Sequence, residues 1–137
     1  MITVFLDTSA IFAAARPRSD RHAEAKSAYQ QLMRDSVRLV TTDLIVVELH
    51  ALALRRSHPA AALDLVDRLM QSGRIEVLAA GLDRLIAALE LLRQRPDRGY
   101  SLADAVSFVV MRELTIDRAF TLDDDFSAEG FQVVPAG

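Results

Sequence analysis

The sequence predicts an α/β protein: a three-layer α/β/α sandwich built on a short, mostly parallel sheet of five strands. Short apolar, β-rich runs alternate with helical stretches along the chain. Each run is apolar at nearly every position rather than at every second one, as in strands covered on both faces. No linker, repeat or low-complexity tract interrupts the alternation, so residues 1–137 are expected to form a single domain.

The elements follow in order. Residues 2–6 form the first strand, and Asp7-Thr8-Ser9 opens an alanine-rich helix reaching about residue 15. A turn at Arg16-Pro17-Arg18-Ser19-Asp20 leads into 21–34, where Ala25, Ala28, Tyr29 and Leu32 recur at helical spacing. Residues 37–41 read as a second strand. The helix predicted over 43–56 is apolar on almost every side, so it is either buried or set against another protein. Pro59 stands where a further helix can begin, and 60–72 continues it with Leu63, Val66, Leu69 and Met70 on one stripe up to Gly73. A strand over 75–79 and a helix over 82–93 precede Pro96 and Gly99, and 101–114 is another helix with apolar residues all round. Residues 119–122 and 132–134 are the last strands.

Composition narrows the function. With 137 residues, 51% of them apolar, the chain buries roughly two-thirds of its unfolded surface, enough for one core. The absence of cysteine excludes disulfides, thiol nucleophiles, Cys-ligated zinc and iron–sulfur clusters. The apolar start resembles an export signal, but no basic residue precedes it and Asp7 interrupts it. Glu48, His50, Arg55 and Arg56 break the most hydrophobic helix, so no membrane span is expected and a cytoplasmic protein is. A net charge of −3 means that any nucleic acid must be held by a local cluster of cations. Lys26 is the only lysine; the arginine bias suits phosphate and base recognition, although codon composition explains it more simply.

Right-handed crossovers bring the ends of all parallel strands to one edge, where ligands bind. Asp7 follows the first strand and Asp123 the fourth. Glu48 lies in the second turn of the helix after the second strand, among Val46, Val47 and Leu49, and Asp104 in the first turn of the helix before the fourth strand, among Leu102, Ala103, Ala105 and Val106. Each acid has a structural explanation. Asp7 can cap its helix, Ser101 and Asp104 can form a capping box, Glu48 can face solvent, and Asp123–Asp125 can be an exposed turn. Four such coincidences would still leave Glu48 and Asp104 charged on apolar helices, at a cost of several kcal/mol each. Carboxylates gathered in one cleft need a counter-ion. All-oxygen ligands select a hard metal, Mg²⁺ or Mn²⁺, and His22, His50 and His58 show no zinc-type spacing. Such a cluster serves phosphodiester hydrolysis or phosphoryl transfer.

The chain resembles the PIN-domain nucleases, and most closely the VapC-type toxins of bacterial toxin–antitoxin pairs, over essentially its whole length. Four segments carry the resemblance: Val4-Phe5-Leu6-Asp7-Thr8-Ser9-Ala10, Val47-Glu48-Leu49, Ser101-Leu102-Ala103-Asp104-Ala105, and Thr121-Leu122-Asp123 with Phe126. None is specific alone; their order and spacing are. The resemblance implies a metal-dependent endoribonuclease with Asp7, Glu48, Asp104 and Asp123 as its acidic quartet. The metal would be held chiefly by Asp7, Asp104 and Asp123, with Thr8, Ser9 and Thr121 as supporting hydrogen-bonders. Asp124 and Asp125 depart from the pattern by crowding the fourth position, so Asp125 can join or replace Asp123 as a ligand. By the same resemblance Glu48 orients or deprotonates the water, or binds the metal through it, and attack by hydroxide leaves 5′-phosphate and 3′-OH ends. A homodimer and a cognate antitoxin that blocks the site are implied as well.

Two groups of cations can reach RNA phosphates at that edge: Arg16, Arg18 and Arg21 after the first helix, and Arg93, Arg95 and Arg98 with Tyr100 before the Asp104 helix. The alternatives are a catalytically silent PIN-like binding module and a receiver or HAD-like phosphoryl-transfer domain. The last two fit poorly, because Ser9 stands where a second HAD aspartate belongs and Lys26 lies too early for a receiver lysine. No GxxxxGK[ST] loop or GxSxG elbow is present.

Overall fold

The computed structural model describes residues 2–136. Along the chain run β1 (Thr3–Leu6), α1 (Thr8–Ala15), α2 (His22–Arg34), β2 (Arg38–Thr42), α3 (Asp43–Arg56), α4 (Pro59–Gln71), β3 (Ile75–Leu78), α5 (Gly81–Gln94), α6 (Leu102–Glu113), β4 (Arg118–Phe120), α7 (Asp124–Ala128) and β5 (Gln132–Val134). The five strands form one sheet in the order β3-β2-β1-β4-β5, and every pair in it is parallel. The expected α/β sandwich is therefore present, with a sheet wholly rather than mostly parallel.

Burial explains the strands. Val4, Phe5 and Leu6 of β1 are at most 1% exposed although they point alternately to opposite faces, so both faces are covered. Helix α1 packs on α2 and on α3, α3 packs on α4, α5 packs on α6, and α7 packs on β5. Right-handed crossovers assign the first group to one face and the second to the other. On the second face Phe5, Phe108, Phe126 and Phe131 meet in stacked and edge-on pairs, and Tyr100 lies edge-on to Phe108. On the first, Tyr29 covers Phe120.

Local signals set the helix ends. The Thr42 hydroxyl accepts from the Ile45 N–H, and His58 Nδ1 accepts from the Ala61 N–H with Pro59 at the first helical position. Ser101 and Asp104 form the capping box their spacing predicts. Two details depart from expectation. β4 ends at Phe120, so Thr121 and Leu122 separate the strand from Asp123. The acidic run is also not a simple turn but the start of α7, with Asp123 as its N-cap. This five-residue helix is closed by a Schellman motif: the Phe131 N–H donates to the Phe126 carbonyl, the Gly130 N–H donates to the Ser127 carbonyl, and Gly130 has φ +94°.

Candidate active site at the switch point of the sheet

From β1 the chain moves outward through β2 to β3, then returns to add β4 and β5 on the other side. The switch point thus lies between the ends of β1 and β4, where a parallel sheet opens a crevice. Asp7 and Thr121 stand there, one residue past their strands, and the Asp7 N–H donates to the Phe120 carbonyl at 2.9 Å.

Asp7 occupies the N-cap position of α1, but its side chain does not cap that helix. It is 2% exposed, and its Oδ2 accepts from the Ser9 hydroxyl and the Thr121 hydroxyl, both at 2.8 Å. Those two hydroxyls in turn accept backbone N–H groups: Ser9 Oγ from Leu122, and Thr121 Oγ1 from Asp123, each at 2.9 Å. With both hydroxyl protons directed at Asp7, one carboxylate oxygen organises the chain from Thr121 to Asp123. Burial pushes the Asp7 carboxyl up to about 6; the Thr121 and Ser9 hydrogen bonds oppose the rise, and the charges of Glu48 and Asp123 add to it.

The other acids surround this point. Glu48, half-buried on α3, accepts from the Thr8 hydroxyl of α1 at 2.5 Å. Asp104 Oδ2 accepts from the Ser101 N–H at 3.3 Å within the capping box, and Asp123 Oδ1 accepts from the Asp125 N–H at 2.9 Å at the start of α7. Burial raises the Asp104 carboxyl to about 7, and the nearby charge of Asp7 contributes next, against the Ser101 hydrogen bond. Asp125 is also raised, by burial first and then by Asp123, with Arg98 opposing.

Among the described residues, Asp104, Asp123 and Asp125 offer carboxylate oxygens that all lie within 4.8 Å of one another. Three hard oxygen donors so close, each partly buried and two held by caps, fit a hard divalent cation. Of the quartet expected from sequence, Asp104 and Asp123 stand in this group, whereas Asp7 and Glu48 fall outside it, near enough that the charges of both act on Asp104. Asp125 joins the inner group beside Asp123, while Asp7 lies just behind it, engaged with Ser9 and Thr121.

The sequence-predicted cations divide by their partners. Arg98 is exposed, and its charge acts on Asp125. Arg21 is paired with Glu24 at 2.6 Å. Arg16 lies 5.6 Å over the Phe12 ring and donates to the Arg56 carbonyl, and with Arg18 it lines a groove of about 530 Å³ between α1, α3 and α4. Arg93 pairs with Glu90, and Arg95 and Tyr100 are drawn inward to Glu129. Glu129 carries no motif in the sequence. The signal that locates α7, an Asp N-cap followed by Gly130 just past the helix end, also places Glu129 at its C-cap.

Residues 4–131 match the PIN domain family. This chain belongs to the PIN-domain family. Within it, the chain is 36% identical over 129 residues to the 23S rRNA-specific endonuclease VapC20 of Mycobacterium tuberculosis, covering 93% of this chain and 95% of that protein. The crystal structure of the same relative, described as a Sarcin-Ricin loop cleaving toxin, superposes with a TM-score of 0.86 at 32% identity over 93% of this chain and 95% of the other. The PIN fold is shared more distantly with VapBC2 from Rickettsia felis bound to a DNA fragment from their promoter, at a TM-score of 0.69 and 14% identity over 97% of both chains. It is shared also with FitAcB from Neisseria gonorrhoeae, at 0.64 and 21% over 95% of both. The four acidic segments of this PIN domain all fall inside the matched span, and no helix among the described residues is long and apolar enough to cross a membrane.

Proposed function

We propose that this VapC-type PIN domain is a metal-dependent endoribonuclease, the toxin of a toxin–antitoxin pair, acting in the cytoplasm on structured RNA of the ribosomal class. The observation that carries the reading is the meeting of Asp104, Asp123 and Asp125 beside buried Asp7 at the sheet's switch point. The substrate class rests on the likeness to VapC20.

Asp104, Asp123 and Asp125 would hold a hard divalent cation such as Mg²⁺ or Mn²⁺, with Asp7 as the adjoining fourth carboxylate. When bound, the ion supplies Lewis-acid polarisation and charge neutralisation at the scissile phosphate. Glu48, fixed by Thr8, accepts the proton of the attacking water. The new bond forms between that oxygen and phosphorus, and the bond from phosphorus to the 3′ oxygen breaks. The 3′ oxygen takes a proton from solvent, leaving 5′-phosphate and 3′-OH ends. Ser9 and Thr121 keep Asp7 oriented. Arg98, beside Asp125, meets an RNA phosphate, and Arg16 and Arg18 extend the contact along their groove. Arg21 is a weaker contact, since Glu24 already holds it.

Two partners belong to this reading. An antitoxin covers the acidic edge. A second copy of the chain is the other partner, set against exposed apolar residues such as Val47 and Leu54 of α3.

The test is cleavage of end-labelled ribosomal RNA by chelator-stripped protein, with and without added Mg²⁺ or Mn²⁺, beside an Asp104→Asn variant. Metal-dependent cleavage by the wild type alone, with 5′-phosphate products, is expected. Cleavage that persists in chelator, or 2′,3′-cyclic phosphate ends, overturns the mechanism. Binding without any cleavage leaves a silent binding module.

A further inference from the structure

Glu129 lies outside every segment that marks the acidic site, yet its side chain is only 3% exposed. Its Oε1 accepts from Arg112 Nη2 at 2.9 Å, and its Oε2 accepts from the Tyr100 hydroxyl at 2.8 Å and Arg95 Nε at 3.1 Å. Burial pushes this carboxyl up, but the Arg112, Tyr100 and Arg95 donors outweigh burial and hold it below its ordinary value. An apolar residue of similar size would serve stability about as well as a buried carboxylate, so its directional bonds matter more for placement than for stability.

Its position shows what it places. Glu129 is the C-cap of α7, and its N–H donates to the Asp125 carbonyl at 3.1 Å. Tyr100 immediately precedes Ser101, whose capping box holds Asp104. The Tyr100–Glu129 bond therefore joins the entry of α6, which carries Asp104, to the end of α7, which carries Asp125 and is capped by Asp123. Arg112, near the other end of α6, grips both the Glu129 carboxylate and its backbone carbonyl and lies 5.2 Å over the Phe131 ring. The rings beneath, Phe108 against Tyr100, Phe126 and Phe131, hold the two helices together, but apolar contact is non-directional. The charged hydrogen bonds of Glu129 are directional and set where one helix stands along the other.

We propose that Glu129 is a positioning residue for the acidic site: through Tyr100 and Arg95 on one side and Arg112 on the other, it sets the separation of Asp104 from Asp123 and Asp125. The affinity of the site for a divalent cation follows from that separation. This inference rests on the metal-binding reading above.

The test is calorimetric titration of chelator-stripped full-length protein with Mn²⁺, without RNA, for the wild type, Glu129→Gln, Tyr100→Phe and a control. The control, Glu113→Gln, breaks the α6 surface pair with Arg84 and touches no part of the Glu129 cluster. Glu129→Gln raises the Mn²⁺ dissociation constant about tenfold, the lower end of the effect of residues that orient metal ligands, and Tyr100→Phe, which removes one of three side-chain donors to Glu129, raises it by less. Glu113→Gln leaves it unchanged, and circular dichroism of all four proteins superposes. Wild-type affinity in either folded variant, or an equal loss in the control, overturns the proposal. Should Glu129→Gln not fold, Tyr100→Phe decides, because it keeps the ring against Phe108. A wild type that takes up no Mn²⁺ removes the metal reading and this one together, whereas equal binding by wild type and variants removes only this one.

Discussion

Thr121 Oγ1 donates to Asp7 Oδ2 at 2.8 Å across 114 positions of sequence, and the same hydroxyl accepts the Asp123 N–H at 2.9 Å. One oxygen thereby couples the acid that ends β1 to the backbone that carries the acid after β4. The switch-point crevice is held by side chains as well as by the sheet.

Replacing Thr121 with Val keeps the shape and removes both bonds. The Asp123 N–H and an Asp7 oxygen lose a partner in a buried setting, so the variant is less stable by about 1–3 kcal/mol in urea denaturation. RNA cleavage falls as well, because Asp123 is no longer held. A variant as stable and as active as the wild type would show the bond to be incidental.

Asp7→Asn acts in the opposite sense on stability. At pH 8 the Asp7 carboxylate is ionised in a buried site, disfavoured first by its desolvation and then by the charges of Glu48 and Asp123, and the amide removes both effects while still accepting from Ser9 and Thr121. The metal-free variant gains about 1–3 kcal/mol and loses cleavage. Thermal denaturation in chelator measures the first effect, and a fall in melting temperature contradicts the assignment of Asp7 as a strained buried anion.

The carboxyls of Asp7 and Asp104 rise from 3.8 to about 6 and about 7 on folding, so between those limits the folded protein binds more protons than the unfolded chain. Stability of the metal-free protein therefore declines as pH rises from about 4 to about 7 and levels off above. Divalent cations compete with the same protons. Saturating Mn²⁺ flattens the decline, its affinity grows through this window, and its binding releases protons. Melting curves at stepped pH, with Mn²⁺ or chelator, check all three; a metal-free melting temperature that climbs with pH would falsify the shifts.

Arg98→Ala and Arg21→Ala separate a cation open to solvent from one already paired. Arg98→Ala weakens RNA binding and reduces the slope of log affinity against log salt by about 1, whereas Arg21→Ala, losing a side chain held by Glu24, changes the slope little. Filter binding across a salt series reads both. Equal slopes for Arg98→Ala and the wild type remove Arg98 from the RNA path.

The sequence by itself determined the order of elements, because burial on both faces leaves its mark locally. β5 falls on the predicted residues 132–134, α3 on 43–56, and α2 within one residue of its expected start. It also placed Asp7 and Asp123 on one edge, since parallel strands joined by crossovers end together whatever the packing detail. Tertiary structure decided what those acids do next. α7 is too short to show helical periodicity, and it depends on caps at Asp123 and Gly130 and on Phe126 packing between Phe5 and Phe108, so the sequence left open whether Asp123 or Asp125 stands beside Asp104, and α7 brings in both. The inward turn of Arg95 and Tyr100 toward Glu129 was hidden for the same reason. A hydrogen bond between residues 29 or more positions apart leaves no periodic trace in a sequence, and its partners are chosen only when the layers close.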